Sequence, residues 1–240
     1  MIITGGAGFI GTHLQKVTGG TVIDLKTGSD LFDLNDLDDD RVVVHLAAVS
    51  SIPDSVRDPK KTWQTNIVGL QHMIDLCKEA DAKLIFASSS ACANALSPYA
   101  FSKLWGETMI ERSGIRYQIL RFGNVYGEGD TKSAIYHFKG DEIIKIYGDG
   151  SIKRSFIHVS DVVAAIIAAV SDDSGNQKDT HLIGHENKTI LEVAKLFNKP
   201  IRFESGREWD APDLAMSWQV PNWWKLMPQV KIEDYANGVI

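Results

Sequence analysis

The sequence is short of cysteine, of basic runs and of long apolar stretches, and each shortage excludes something. Only Cys77 and Cys92 occur in 240 residues. They lack the close pairing of a metal-binding motif and make no disulfide framework, so both are expected reduced and no metal is expected. No block of lysine or arginine appears and the formal net charge is −6, which leaves no electropositive footprint for a nucleic-acid backbone. No apolar run approaches the roughly 20 residues of a membrane helix, and the first residues enter a strand-like run at once. A cytoplasmic location is expected by default, with neither nucleic acid nor membrane as partner. Internal repeats and low-complexity segments are also missing. What remains is a globular composition, 44% hydrophobic and 23% charged, with length for one substantial core and a smaller attached lobe.

Short β-rich runs alternate with helix-patterned segments. Met1–Thr4, Thr21–Leu25, Val42–Leu46, Lys83–Ser88 and Tyr117–Arg121 read as strands of a parallel sheet buried on both faces. Ile67–Glu79 places Ile67, Leu70, Met73, Ile74 and Cys77 on one helical face, and Ala100–Arg112 reads as a second helix. The alternation predicts an α/β fold with a doubly wound parallel sheet of Rossmann type and a small C-terminal substrate-binding lobe. After Tyr126 the chain turns to glycine-punctuated segments, assigned to that lobe. Val162–Val170 reads as a helix capped by Ser160, and His181–Ile183 as a last strand. The expected division gives residues 1–124 plus 156–185 to the core and 125–155 plus 186–240 to the lobe, whose tail holds Trp209, Trp218, Trp223 and Trp224.

Thr4-Gly5-Gly6-Ala7-Gly8-Phe9-Ile10-Gly11 follows the first strand and opens a helix. Glycines at 5, 8 and 11 permit a tight turn, close approach to a pyrophosphate and close packing of helix on strand. The helix N-terminus adds N–H donors and partial positive charge. Asp24 stands nineteen residues beyond Gly5, after the second strand. A carboxylate there accepts from ribose hydroxyls and repels a 2′-phosphate, which favours NAD over NADP.

Tyr99 and Lys103 lie four residues apart at a helix start, hence on one face. Tyrosine titrates near 10 and serves as a base at neutrality only where positive charge stabilises its phenolate. Lys103, with the nicotinamide ring, is expected to supply that charge and make the pair a general base. Ser88-Ser89-Ser90 ends a strand at the carboxyl edge of the sheet, where one hydroxyl could hold a substrate oxygen beside Tyr99.

Together these segments resemble the extended short-chain dehydrogenase/reductase family, in particular its nucleotide-sugar epimerases and dehydratases, over nearly the whole chain. The resemblance extends to His45-Leu46-Ala47-Ala48 and to Asn66 in Thr65-Asn66-Ile67-Val68-Gly69. It implies that Leu46, Ala47 and Ala48 line the NAD site with Gly5, Gly8, Phe9, Ile10, Gly11, Asp24 and Leu25. Asn66 would complete a catalytic tetrad with Ser89, Tyr99 and Lys103. Leu120–Gly127 resembles the segment that presents an asparagine, here Asn124, to the substrate diphosphate. Ile146–Ser151 and Arg154–Val162 resemble the nucleotide-binding stretch, with Arg154 on phosphate. Gly206-Arg207-Glu208-Trp209-Asp210 resembles a second phosphate-binding arginine motif, and Trp224–Val239 the closing tail. Two arginine forks suit a diphosphate. The relatives also pair through helices that here begin near Asn66 and Tyr99, so a homodimer is expected.

The departures from the family pattern are informative. Cys92-Ala93-Asn94 stands where Val-Tyr-Gly is usual; counting back from Asn94 selects Ser89 as the catalytic serine, while Ser88 or Ser90 could serve, and Ser90 is expected beside the substrate. Only ten residues separate Ser89 from Tyr99, so a loop bordering the sugar is trimmed, and Gly19-Gly20 ends the first helix early. For adenine, Asp30-Leu31 and Asp33-Leu34 both offer a contact, and Asp33-Leu34 fits the family pattern better. Dehydratases of the family carry Thr-Asp-Glu where this chain has Ser89-Ser90-Ala91, so elimination lacks its acid and base. The reading is an NAD-dependent epimerase acting at C4 of a nucleotide sugar, a UDP-hexose first. A 4,6-dehydratase, a 4-keto reductase and a non-catalytic dinucleotide-binding protein are the alternatives.

Overall fold

A computed structural model describes residues 1–37, 41–172, 178–207 and 228–240. The tryptophans at 209, 218, 223 and 224, and the segment Glu208-Trp209-Asp210, lie outside the described residues. Strand β1 (Ile2–Thr4) runs through the glycine turn into α1 (Phe9–Thr18), and β2 (Thr21–Ile23) follows. After β3 (Val42–His45) come α2 (Ile52–Arg57), α3 (Pro59–Trp63), a π-helical turn at Gln64–Val68 and α4 (Gly69–Glu79). Then follow β4 (Lys83–Ser89), α5 (Pro98–Ser113), β5 (Arg116–Phe122), β6 (Asn124–Tyr126), α6 (Ala134–Gly140), β7 (Ile144–Tyr147), β8 (Lys153–His158) and α7 (Val159–Val170). The chain ends in β9 (Lys178–Ile183), β10 (Glu186–Thr189), α8 (Ile190–Lys195), β11 (Ile201–Glu204) and α9 (Ile232–Ala236).

Six strands form one parallel sheet in the order β2-β1-β3-β4-β5-β9. Alternation along β4 sorts its side chains between two cores. Leu84 and Phe86 meet Leu70, Met73 and Ile110 of α4 and α5, whereas Ile85 joins Leu14 of α1 and Val162, Ile166 and Ala169 of α7. Each such fully buried aliphatic contributes about 1.5–3 kcal/mol. The chain leaves β1 for β2 on one side and has β3 on the other, so a switch point lies at the carboxyl ends of β1 and β3. In folds of this kind, ligands bind there.

A third core of Tyr126, Phe138, Ile144, Ile146, Phe156, Val193 and Ile232 holds the remaining elements together. Its strands form two small sheets, β10-β8-β6 and β11-β7. No helix of the described residues is long and apolar enough to cross a membrane.

Local chemistry explains several element ends. Gly19 closes α1 in the left-handed region, with φ of 67°, and its N–H bonds to the Gln15 carbonyl. Ser97 caps α5 and Pro98 occupies its first turn. Two boundaries differ from the sequence reading. Leu25 does not extend β2, because the Asp24 carboxylate accepts from Lys26 N and turns the chain into a 3₁₀ segment. The cap of α7 is His158, whose Nδ1 accepts from Ser160 N; Ser160 itself lies inside the helix.

Candidate active site

The glycine turn and the ends of β1, β3 and β4 open into one cleft of about 1760 Å³. Gly5 adopts φ of 71°, and a Cβ there would sit 2.6 Å from Ala47 N. A Cβ at Gly11 would sit 2.4 Å from the Gly5 carbonyl oxygen. Glycine is therefore required at both points to bring α1 against the sheet. No side chain caps the α1 N-terminus at Gly8, which leaves its first N–H groups directed at the cleft as donors for an anion. Asp24 closes the turn from outside: one carboxylate oxygen accepts from Ala7 N at 3.0 Å and the other from Lys26 N at 2.8 Å. Each oxygen keeps a further lone pair for a ribose hydroxyl. The residues present thus fit a dinucleotide, and their negative charge opposes a 2′-phosphate.

Gly5, Gly8, Phe9, Ile10, Gly11, Asp24, Leu25, Leu46, Ala47 and Ala48 all line this cleft. The adenine-side choice is corrected. Asp30 and Leu31 form the wall, whereas Asp33 and Leu34 do not. Asp30 caps a 3₁₀ turn by accepting from Phe32 N, which fixes its pair toward the cleft. Leu34 instead packs against the core, and its carbonyl accepts from His72 Nε2 at 2.8 Å.

At the other end of the cleft stand Ser89, Ser90, Tyr99 and Lys103. The alternation of β4 separates the serines. Ser88 points into the protein, where its hydroxyl donates to Glu107 and lies 3.4 Å from Cys92 Sγ. Ser89 lines the cleft with Tyr99, and its hydroxyl accepts from Ala91 N at 3.2 Å. Burial pushes the phenol of Tyr99 up to about 12, against an opposing pull from the Ser89 hydroxyl, while Cys92 adds to the rise. The expectation that Lys103 lowers Tyr99 is therefore not met by the protein's own groups. The reason is geometric: the Lys103 ammonium donates to the Ala87 carbonyl at 2.7 Å and lies 4.6 Å from the centre of the Phe86 ring. Burial pulls Lys103 itself down to about 8, while the charges of Cys92 and Glu107 act to raise it.

Asn66 is brought near this group but does not line the cleft. It lies in the π-helical turn, where its Oδ1 accepts from Val49 N at 2.8 Å and its Nδ2 donates to the Val49 carbonyl and to Ser102 Oγ. Ser102 in turn donates to the Tyr99 carbonyl at 2.8 Å. Asn66 thus ties the loop after β3 to α5 and reaches Tyr99 through Ser102.

The sequence reading passed over Glu107 and Arg121. Glu107 is 2% exposed and is held by Ser88 and by a bidentate bond from Arg121, with Arg121 Nε at 2.8 Å. The signal was present, since Glu107 follows Lys103 by four residues as Lys103 follows Tyr99. It also passed over Ser55, whose Oγ accepts from Tyr99 N at 3.2 Å.

Across the cleft, Asn124, Arg154 and Arg207 face the same space. Asn124 donates to the Ser155 carbonyl at 3.2 Å, Arg154 Nη1 to the Lys153 carbonyl at 2.9 Å, and the Arg207 guanidinium lies 4.3 Å from the centre of the Tyr147 ring. Among the described residues no cluster of histidine, cysteine or acidic side chains could hold a metal.

A doubly wound sheet, an uncapped glycine turn with an acidic residue after β2, and a Ser-Tyr-Lys group in one cleft define a dinucleotide-binding protein of the short-chain dehydrogenase/reductase kind. Residues 1–184 match the NAD dependent epimerase/dehydratase family, and the chain belongs to it. NAD is the cofactor. The chain is 30% identical over 223 residues to a Methanocaldococcus jannaschii protein with a provisional UDP-glucose 4-epimerase name, covering 71% of this chain and 73% of that one. It is 27% identical over 276 residues to the UDP-glucose 4-epimerase of Lactobacillus helveticus, covering 81% and 80%. A solved structure of MoeE5 in complex with UDP-glucuronic acid and NAD superimposes with a TM-score of 0.86 at 27% identity, covering 98% of this chain and 96% of that one.

Proposed function

We propose that the protein inverts C4 of a nucleoside-diphosphate hexose, a UDP-hexose first, through a transient 4-keto sugar. The observation that carries this reading is the gathering of Ser89, Tyr99 and Lys103 in the cleft of the glycine turn, beside Ser90 and Ala91, which offer no acid–base pair for elimination. The UDP-glucose 4-epimerase relatives support it.

On this reading the core, residues 1–124 plus 156–185, holds the cofactor, and the lobe, 125–155 plus 186–240, holds the nucleotide sugar. Bound NAD supplies the acceptor, and then the donor, of the C4 hydride. Tyr99 takes the proton of the 4-hydroxyl, and Ser89 donates a hydrogen bond to the reacting oxygen so that it stays in reach of the phenol. Lys103 places a positive charge below the pair, fixed by the Ala87 carbonyl. Asn66 acts through Val49 and Ser102 to position the helix that carries Tyr99. Asn124, Arg154 and Arg207 hold the diphosphate while the sugar turns in the space left by the short connection from Ser89 to Tyr99, and Tyr99 then returns the proton.

The working unit is a homodimer. Trp63, Val68, Phe101, Leu104 and Trp105 are exposed on α3, the π-helical turn and α5, which pack together, and an apolar surface of this kind favours burial against a second copy. Incubation of NAD-loaded protein with UDP-, GDP- and dTDP-hexoses tests the reading: product of unchanged mass and inverted C4 is expected, whereas loss of water or carbon dioxide overturns it. Tyr99→Phe should keep NAD and lose turnover.

A further inference from the structure

The loop of residues 127–133, between β6 and α6, crosses the cleft and is pinned on both banks. On one bank His13 Nε2 donates to the Glu128 carbonyl at 2.8 Å, and a side chain at Gly129 would meet Phe9 and His13 at 3.9 Å. Those two residues belong to α1, whose first turn faces the cofactor diphosphate. On the other bank Lys132 Nζ stands 3.5 Å from Asp54 Oδ2 in α2, the helix whose Ser55 holds the Tyr99 backbone. Between these anchors the loop is stiff: the Asp130 carboxylate accepts from Lys132 N at 3.0 Å, from Ser133 N at 3.1 Å and from the Ser133 hydroxyl. At its start Gly127 and Gly129 adopt φ of 147° and 82°, conformations that favour glycine. Glu128, Gly129, Asp130, Thr131, Lys132 and Ser133 all line the cleft.

A rigid strip with glycine hinges, fastened once beside the diphosphate turn and once beside the catalytic tyrosine, lies across the path of a dinucleotide stretched between them. We propose that residues 127–133 are a clasp over bound NAD, fastened by His13–Glu128 and Lys132–Asp54, which lifts to load or release the cofactor. A catalyst that returns a hydride to the same molecule needs such retention, but the clasp rests on NAD binding alone and its test does not depend on the reaction.

The test follows NADH fluorescence in stopped flow, with association measured directly and dissociation by competition with excess ADP. For a gate, both rates rise together and affinity changes less than either. Lys132→Ala is expected to speed both by about two- to fivefold, as befits an exposed ion pair. His13→Ala should speed both by roughly three- to tenfold through loss of one hydrogen bond. Added salt should mimic Lys132→Ala and leave the His13→Ala effect in place. Unchanged rates in the double variant overturn the proposal, as does faster dissociation with unchanged association, which marks ordinary contacts to NADH. Should His13→Ala fail to fold, the exposed Lys132→Ala and Asp54→Asn variants decide the matter by the same two rates.

Discussion

Lys103 is a cation that the fold holds at a cost, and replacing it with methionine should make the protein more stable and inactive. Its side chain is 4% exposed, and burial brings its pKa from 10.5 down to about 8. At about 1.4 kcal/mol per pH unit, that gap amounts to about 3 kcal/mol. A base whose folded pKa lies below its unfolded value destabilises the fold fully below the folded value, and the cost fades as pH rises from about 8 to 10.5. Methionine removes the charge but also loses the bond to the Ala87 carbonyl and the contact with the Phe86 ring, together about 1–2 kcal/mol. Lys103→Met should therefore gain about 1–2 kcal/mol at pH 7, or about 2–8 °C in Tm for a chain of this size. Thermal unfolding of cofactor-free protein, followed by circular dichroism at neutral pH and again near the unfolded lysine value, measures this gain and its decline. A variant less stable than the parent at pH 7, or a gain equal at both pH values, would refute the reasoning.

Four further outcomes follow from the same geometry. Ser89→Ala should lower kcat by about 10–100-fold, since hydrogen bonds to a charged partner contribute about 1.5–3 kcal/mol, and shift the rate profile to higher pH. Ser88→Ala should instead lower Tm, because it strips a donor from buried Glu107. Gly11→Ala should abolish NAD retention in equilibrium dialysis, as its Cβ would sit 2.4 Å from the Gly5 oxygen. Because burial sets Tyr99 near 12 and the protein supplies no sufficient opposing cation, ultraviolet titration should show its phenolate at lower pH with NAD⁺ bound than with NADH. Equal titration in the two forms would remove the cofactor charge from the account.

The sheet was legible because a strand buried on both faces needs an apolar run, and Val42–His45 and Lys83–Ser89 supply one. The cofactor turn was legible because Gly5 and Gly11 occupy points where no other side chain fits. The small sheets were not, since β7 pairs with β11 from more than fifty residues away and the Ile144–Tyr147 pattern alone does not reveal its partner. Motif likeness favours Asp33-Leu34 over Asp30-Leu31, whereas the pair at the cleft wall is Asp30-Leu31, where Asp30 caps Phe32 N. Four-residue spacing puts Lys103 on the face of Tyr99, but its bond to the Ala87 carbonyl depends on how α5 sits on β4, which spacing along one helix does not encode. Among the serines at 88, 89 and 90, the engagement of the Ser88 hydroxyl by Glu107 depends on how α5 packs on β4, which the run of serines does not reveal.

The central claim is reversible hydride transfer at one sugar carbon, with the cofactor retained throughout. UDP-glucose carrying deuterium at C4, incubated with NAD-loaded protein in ordinary water, tests it directly. The account predicts the C4 epimer with deuterium kept at C4, no solvent hydrogen incorporated and no label in free NADH. Loss of the label to solvent, its appearance at another carbon, or a product lighter by water or carbon dioxide would contradict it.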